Sequence, residues 1–326
     1  MHLCFIWLLI LTRRKTPDQS FASYNTYNLL DTQERVTYTP VTKKKFLINN
    51  SMKRFAIRSP LLLINGVQRH PHEKEILPVM IGMTTIPERL MKGKTQQAIQ
   101  SILNNHVHPQ KIILTIPAKT LRGETYPQEL FEQPLFQNPL IKLHFVDEDE
   151  GPILKLNGLL DFLKKGKIPL NKSFVLMDDD IIYPPDILQN LWDHHKNIPH
   201  ASIGYAGRIW LKKRNRLIFF NLTWQLQKLL RVHIIETFHL ALHPLDVFFN
   251  RHQEWLSFVK EVKEECKESV FTDDIVISLW CKMNRIPRLI TKGPTVKNID
   301  HGTAKLSDMN LCGRNDFVFA RIWKNP

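Results

Sequence analysis

Three consecutive aspartates, Asp178-Asp179-Asp180, directly follow the apolar run 173–177 (SFVLM). Placed together behind a buried strand they repel one another unless a cation or strong donors compensate. A hard divalent ion such as Mg²⁺ or Mn²⁺ takes carboxylate oxygens and also the oxygens of a diphosphate, whose charge it neutralises as a Lewis acid. The plainer reading is a solvated turn whose aspartates cap the helix that Pro184-Pro185 opens. A second acidic pair, Asp273-Asp274, heads the apolar helical segment 275–283 (IVISLWCKM). One of these carboxylates, facing a cleft, would deprotonate a hydroxyl. The alternative there is an N-cap supplied by Thr272 or Asp273.

The elements that must position these groups alternate between strand and helix. Residues 77–83 (LPVMIGM) are a short apolar run closed by Thr84-Thr85-Ile86-Pro87, the pattern of a buried strand entering a turn. Residues 94–103 have helical spacing, with Ala98, Ile99, Ile102 and Leu103 on one face. Segments 111–116 (KIILTI), 141–146 (IKLHFV) and 173–177 predict further strands, and 153–163 predicts a helix. This order indicates an α/β sandwich with a mainly parallel sheet. In such folds ligands sit beyond the carboxyl ends of the strands, where the triplet falls.

Taken in order along the chain, four segments resemble the GT-A fold glycosyltransferases, especially family-2-like enzymes. Residues 79–89 (VMIGMTTIPER) are similar to the first strand and nucleotide loop, with a T-x-I-P-x-R opening. Asp149-Glu150-Gly151-Pro152 with Lys155-Leu156 resembles the D-x-G-P-x-x-K-L segment. Residues 174–184 (FVLMDDDIIYP) resemble the strand-plus-DxD motif, and 271–280 (FTDDIVISLW) the later acidic-pair helix.

The resemblance implies a GT-A type, Rossmann-like, mainly parallel sheet flanked by helices, in a single catalytic domain over residues 76–326. It implies a nucleotide-sugar donor (a UDP- or GDP-sugar), Mn²⁺ or Mg²⁺, and a glycan or other hydroxyl acceptor. By position, Thr84, Thr85 and Arg89 would line the nucleotide pocket, and Asp149 would contact base or ribose. Lys155 would reach the diphosphate or brace the loop. Asp178 and Asp179 would lie against the donor, Asp178 touching ribose or a metal-bound water. Asp180, with Asp178 and His301, would hold the metal, and Asp273 or Asp274 would be the acceptor-side base. Such a base implies inversion of the anomeric centre, with retention the alternative. One departure stands out: where related enzymes often carry a glycine-rich acceptor segment, residues 237–247 (TFHLALHPLDV) have no glycine and two histidines.

The 326 residues are 43% hydrophobic and 10% aromatic, ordinary for a chain that buries a sizeable core. A net charge of +14 calls for an anionic partner. No paired Cys/His finger or aromatic RNA-binding signature directs it to nucleic acid, so no nucleic-acid partner is expected. Cys4, Cys266, Cys281 and Cys312 have no CxxC spacing, which argues against a thiolate zinc site; buried free thiols or a disulfide among the last three both fit. Residues 3–11 (LCFIWLLIL) are apolar but about half the length a bilayer-spanning helix needs. Arg13-Arg14-Lys15 follow at once, which disfavours a luminal catalytic domain. Residues 1–15 are expected to be a signal or anchor, or a mis-started terminus, and 16–75 a polar stem. Membrane association or the secretory pathway is favoured over the cytoplasm. Two competing readings are a nucleotidyltransferase, against which the lack of a glycine-rich phosphate loop counts, and a basic, non-enzymatic binder of polyanions or membrane surfaces.

Overall fold

The structure, a computed structural model, describes residues 74–166, 173–221, 229–299 and 313–323. The expectations for residues 1–15, for nearly all of the stem and for His301 therefore lie outside the described residues. The first half runs β1 (Ile76–Thr84), α1 (Pro87–Met91), α2 (Lys94–Leu103), β2 (His108–Pro117), β3 (Ile141–Val146), α3 (Leu154–Lys165), β4 (Ser173–Leu176), β5 (Ile181–Ile182) and α4 (Ile187–Asn197). The second runs β6 (Ser202–Leu211), β7 (Arg216–Asn221), β8 (Leu230–Arg231), β9 (Ile234–Pro244), α5 (Asp246–Phe249), α6 (His252–Glu265), α7 (Asp273–Met283), β10 (Arg288–Ile290), β11 (Lys297–Asn298) and α8 (Asn315–Ile322). All of them belong to one unit, Val67–Pro326.

Nine strands form the main sheet, in the order β3-β2-β1-β4-β9-β6-β10-β8 with β7 on β6. The pairs β3–β2, β2–β1, β1–β4 and β6–β10 are parallel. β9 enters antiparallel between β4 and β6, so the sheet is mixed although most strands share one direction. Residues 237–247 carry no strand expectation from the sequence, yet most of them lie in β9. His239 and His243 are both buried in the sheet; His243 stacks on Phe174 and shares a hydrogen bond with Ser202 Oγ at 2.9 Å. Burial holds His243 down at about 3, so it stays neutral.

Alternation along β1 sends Val79, Ile81 and Met83 into one core and Met80 into the other. The first core takes the apolar faces of α2 and α4, the second those of α3, α6, α7 and α8. Two layers of helices thus cover a buried sheet, as parallel strands require. Pro184-Pro185 precede α4 rather than opening it. The Pro184 carbonyl accepts from Ile187 N at 3.2 Å, closing a turn first. Among the described residues no helix is long and apolar enough to cross a membrane, and Cys266 and Cys281 are free, buried thiols.

The chain leaves β1 for β2 and β3 on one side and returns to β4 on the other. This reversal creates a crevice beyond the carboxyl ends of β1 and β4, the place where open α/β sheets bind ligands. The layers meet there at close range. A Cβ on Gly82 would fall 2.3 Å from the Lys155 carbonyl oxygen, and one on Gly158 would fall 2.1 Å from Thr115 Oγ1. Glycine at these two positions lets α3 lie directly on β1 and β2, which brings Lys155 up to the crevice.

Candidate active site

Thr85 and Arg89 reach the crevice from the end of β1. Pro87 starts α1 with a φ already suited to a helix, so Arg89 falls on its first turn. The Arg89 guanidinium pairs with Asp179 Oδ1 and, at 2.7 Å, with Asp180 Oδ2. Thr85 Oγ1 donates to Asp179 Oδ2 at 2.5 Å, and its carbonyl accepts from the Tyr126 hydroxyl at 2.6 Å. Both oxygens of Asp179 are therefore taken by protein donors, and Asp179 ties β4 to the first loop. Thr84 donates instead to the Thr115 carbonyl at 3.0 Å, stitching β1 to β2.

β4 is buried throughout, and the triplet begins where it ends. Asp178 N donates to the Tyr183 hydroxyl at 3.0 Å. The Asp180 carbonyl accepts from Ile299 N at 2.8 Å, beside the short β5–β11 ladder. Asp179 and Asp180 are buried, whereas the Asp178 side chain is 32% exposed.

Lys155, buried in the first turn of α3, joins the two acidic motifs. Its ammonium lies 2.6 Å from Asp178 Oδ1, 2.9 Å from Asp273 Oδ2 and 2.8 Å from Thr237 Oγ1. Two of its three donors make hydrogen bonds, to Asp178 and Thr237, while Asp273 faces the ammonium as an ion pair without a hydrogen bond. Thr237 in turn donates to Asp274 Oδ1 through its hydroxyl at 2.8 Å and its amide at 2.9 Å. Thr272 sits at the N-cap of α7 without capping it; its hydroxyl bonds the Ser269 carbonyl. Asp273 is turned to Lys155 rather than to the helix end.

Thr237 was not singled out by residue type or spacing, nor were Glu236, Arg208 and Tyr183. Thr237 reaches the site through an irregularity between β6 and β9. Gly204 pairs with Ala241, and Ala206 with Glu236, so Tyr205 alone faces residues 237–240. The excess chain bows toward α7, with Leu240 left-handed at φ 69. Asp149 stands apart: its carboxylate accepts from Leu121 N and Gly151 N, each at 2.8 Å, and shapes the turn ahead of α3.

The charges explain the tension in this cluster. Asp178, Asp179, Asp180, Asp273, Asp274 and Glu236 face three cations: Arg89, Lys155 and Arg208, which pairs with Glu236. Burial disfavours the charged forms of Asp178 and Asp179 and raises both, Lys155 and Arg89 respectively opposing it. Burial, then Asp273 and Glu236, push Asp274 well above the usual carboxylate range. Burial also works against charged Lys155, yet Asp178, Asp273 and Asp274 hold it protonated. Among the described residues no group of three or more His, Cys, Asp or Glu side chains is arranged to hold a metal ion.

Fold and site together define an α/β protein with a mixed, mostly parallel sheet flanked by helices, compatible with a Rossmann-like fold. No protein-family model matches the chain, and a search of the curated proteins finds no match either.

Proposed function

We propose that residues 76–326 are the catalytic domain of a metal-dependent, GT-A type glycosyltransferase that moves a sugar from a nucleotide donor to a hydroxyl acceptor. One observation carries the reading: two acidic motifs nearly a hundred residues apart meet across Lys155 at the crevice between β1 and β4, with carboxylates in excess over cations. The donor set fits a hard divalent ion, since it offers carboxylate oxygens and more carboxyl groups than cations. Asp178, the partly exposed member, and Asp180 would hold that ion, and the donor's own diphosphate oxygens would complete its surroundings. When bound, it supplies Lewis acidity to the leaving diphosphate.

The chain's own groups divide the remaining work. Arg89, Thr85 and Asp179 form a rigid floor under the donor, and Lys155 spaces the two acidic motifs. Asp274 is the better base of the pair, because burial and its acidic neighbours raise its affinity for a proton. The acceptor oxygen bonds to the anomeric carbon as the bond to the diphosphate breaks. The nucleoside diphosphate leaves with the electron pair, and the acceptor proton passes to Asp274. Direct attack of this kind inverts the anomeric centre. Residues 1–15 and 16–75 fit an anchor and stem that hold this domain at a membrane.

The test is a screen of UDP- and GDP-sugars for binding and hydrolysis, with Mn²⁺ and with EDTA. Donor binding and slow hydrolysis that require Mn²⁺ are expected. A folded preparation that neither binds nor turns over any donor would sink the reading.

A further inference from the structure

Two aromatic rings flank the acidic cluster and have no part in the donor chemistry. Arg208 stands opposite Phe219 in the β6–β7 ladder, and Ala206 stands opposite Glu236 between β6 and β9. Cross-strand partners and residues two apart project from the same face, so Arg208, Phe219 and Glu236 share one. The Arg208 guanidinium pairs with Glu236 and lies 5.7 Å from the centroid of the Phe219 ring. Phe219 stacks on Phe238, with centroids 6.0 Å apart and planes 30° from parallel. Phe238 directly follows Thr237, whose hydroxyl donates to Asp274. Both rings are only partly buried, whereas most aromatic rings of the two cores are closed off from water.

A pyranose presents the complementary chemistry: a face of C–H groups that lies on an aromatic ring, and a rim of hydroxyls for charged partners. An alkyl chain on the same surface would desolvate the partly exposed Arg208 with nothing to replace its water. The Arg208–Glu236 pair is neutral, and the cluster beyond it holds more carboxyl groups than cations, so nothing there favours an acidic sugar. We infer that Phe219 and Phe238 form the stacking platform of the acceptor subsite and that the acceptor is a neutral pyranoside, its hydroxyls bonded by Arg208 and Glu236. The inference rests on the transferase reading and adds the acceptor class to it.

Saturation-transfer NMR with methyl β-D-galactopyranoside, lactose and cellobiose tests it, with sorbitol as an acyclic polyol. The pyranosides are expected to bind the full-length protein and sorbitol not to. Phe219→Ala and Phe238→Ala should each weaken binding about tenfold or more, and Phe238→Tyr should retain it. Phe317→Ala, on an exposed ring of α8, should change nothing. UDP and GDP binding, with Mn²⁺, reports whether each variant is folded. Pyranoside binding unchanged in both alanine variants overturns the platform. So does a wild-type protein that binds nucleotide but no pyranoside, while the transferase reading survives. Ring-dependent pyranoside binding with no nucleotide binding at all upholds the platform and removes the transferase reading.

Discussion

At the scale of single residues, Asp273 and Asp274 share a motif and differ in their surroundings. Asp273 is turned to Lys155 and helps hold it between the motifs, while Asp274 is fixed by Thr237 and raised in proton affinity. Asp274→Asn is expected to keep donor affinity within about threefold and to lose transfer by a factor of about 10² or more. Equilibrium binding and single-turnover transfer separate these outcomes, and lost donor affinity would overturn the assignment. Arg89 is a different case. Removing it strands Asp179 and Asp180 without their cation, and breaking such a buried pair costs about 3–5 kcal/mol. Arg89→Met should therefore lower the urea midpoint sharply, and Asp179→Asn in the same chain should recover part of the loss. The aspartate triplet was legible as a chemical oddity from its composition and spacing. The partners that make it a site were not: Thr237 lies 82 positions from Lys155, and nothing in its neighbourhood marks it.

At the scale of elements, the closeness of α3 to the sheet decides where Lys155 stands. Alanine is the better helix former by about 1 kcal/mol, so propensity alone predicts that Gly158→Ala stabilises. The contact with Thr115 predicts the reverse, because a Cβ 2.1 Å from Thr115 Oγ1 forces the helix outward. Steric overlap in a packed layer costs about 1–3 kcal/mol and outweighs propensity. Gly158→Ala should thus lower the urea midpoint, and transfer should fall with it as Lys155 moves; a stabilised variant would refute the close-packing argument. The strands and helices of the first half were readable because each carries its own periodicity. β9 was not, because its strand character comes from pairing with β4 and β6, and its irregular stretch obeys no local pattern.

For the whole molecule, a chain of formal charge +14 folds around an acidic centre, and the two facts act differently on stability. The folded state raises Asp178, Asp179 and Asp274 above their unfolded values. It therefore binds more protons than the unfolded chain. The contribution of these groups is complete below about pH 4 and is lost as the pH climbs through their raised values. In EDTA, Asp178→Asn should match the wild type at low pH and exceed its Tm by about 2–4 °C at pH 7, the shift for about 1 kcal/mol. Saturating Mn²⁺ should raise the wild-type Tm more than that of the variant. Thermal melts between pH 4 and 8 read both. A variant less stable than the wild type at pH 7 would mean that the Lys155 pair outweighs the repulsion.

The alternation of apolar runs and turns was enough, in the sequence, to determine an α/β sheet with the triplet at the end of a strand. Burial of apolar faces is a local bargain between neighbouring residues, and it leaves a readable period. The tertiary structure alone decided that β9 runs against its neighbours, that Lys155 meets both acidic motifs, and that Phe219 and Phe238 meet beside Asp274. Those contacts join residues far apart in the chain, and their geometry depends on register and close approach, neither of which leaves a trace in composition or spacing.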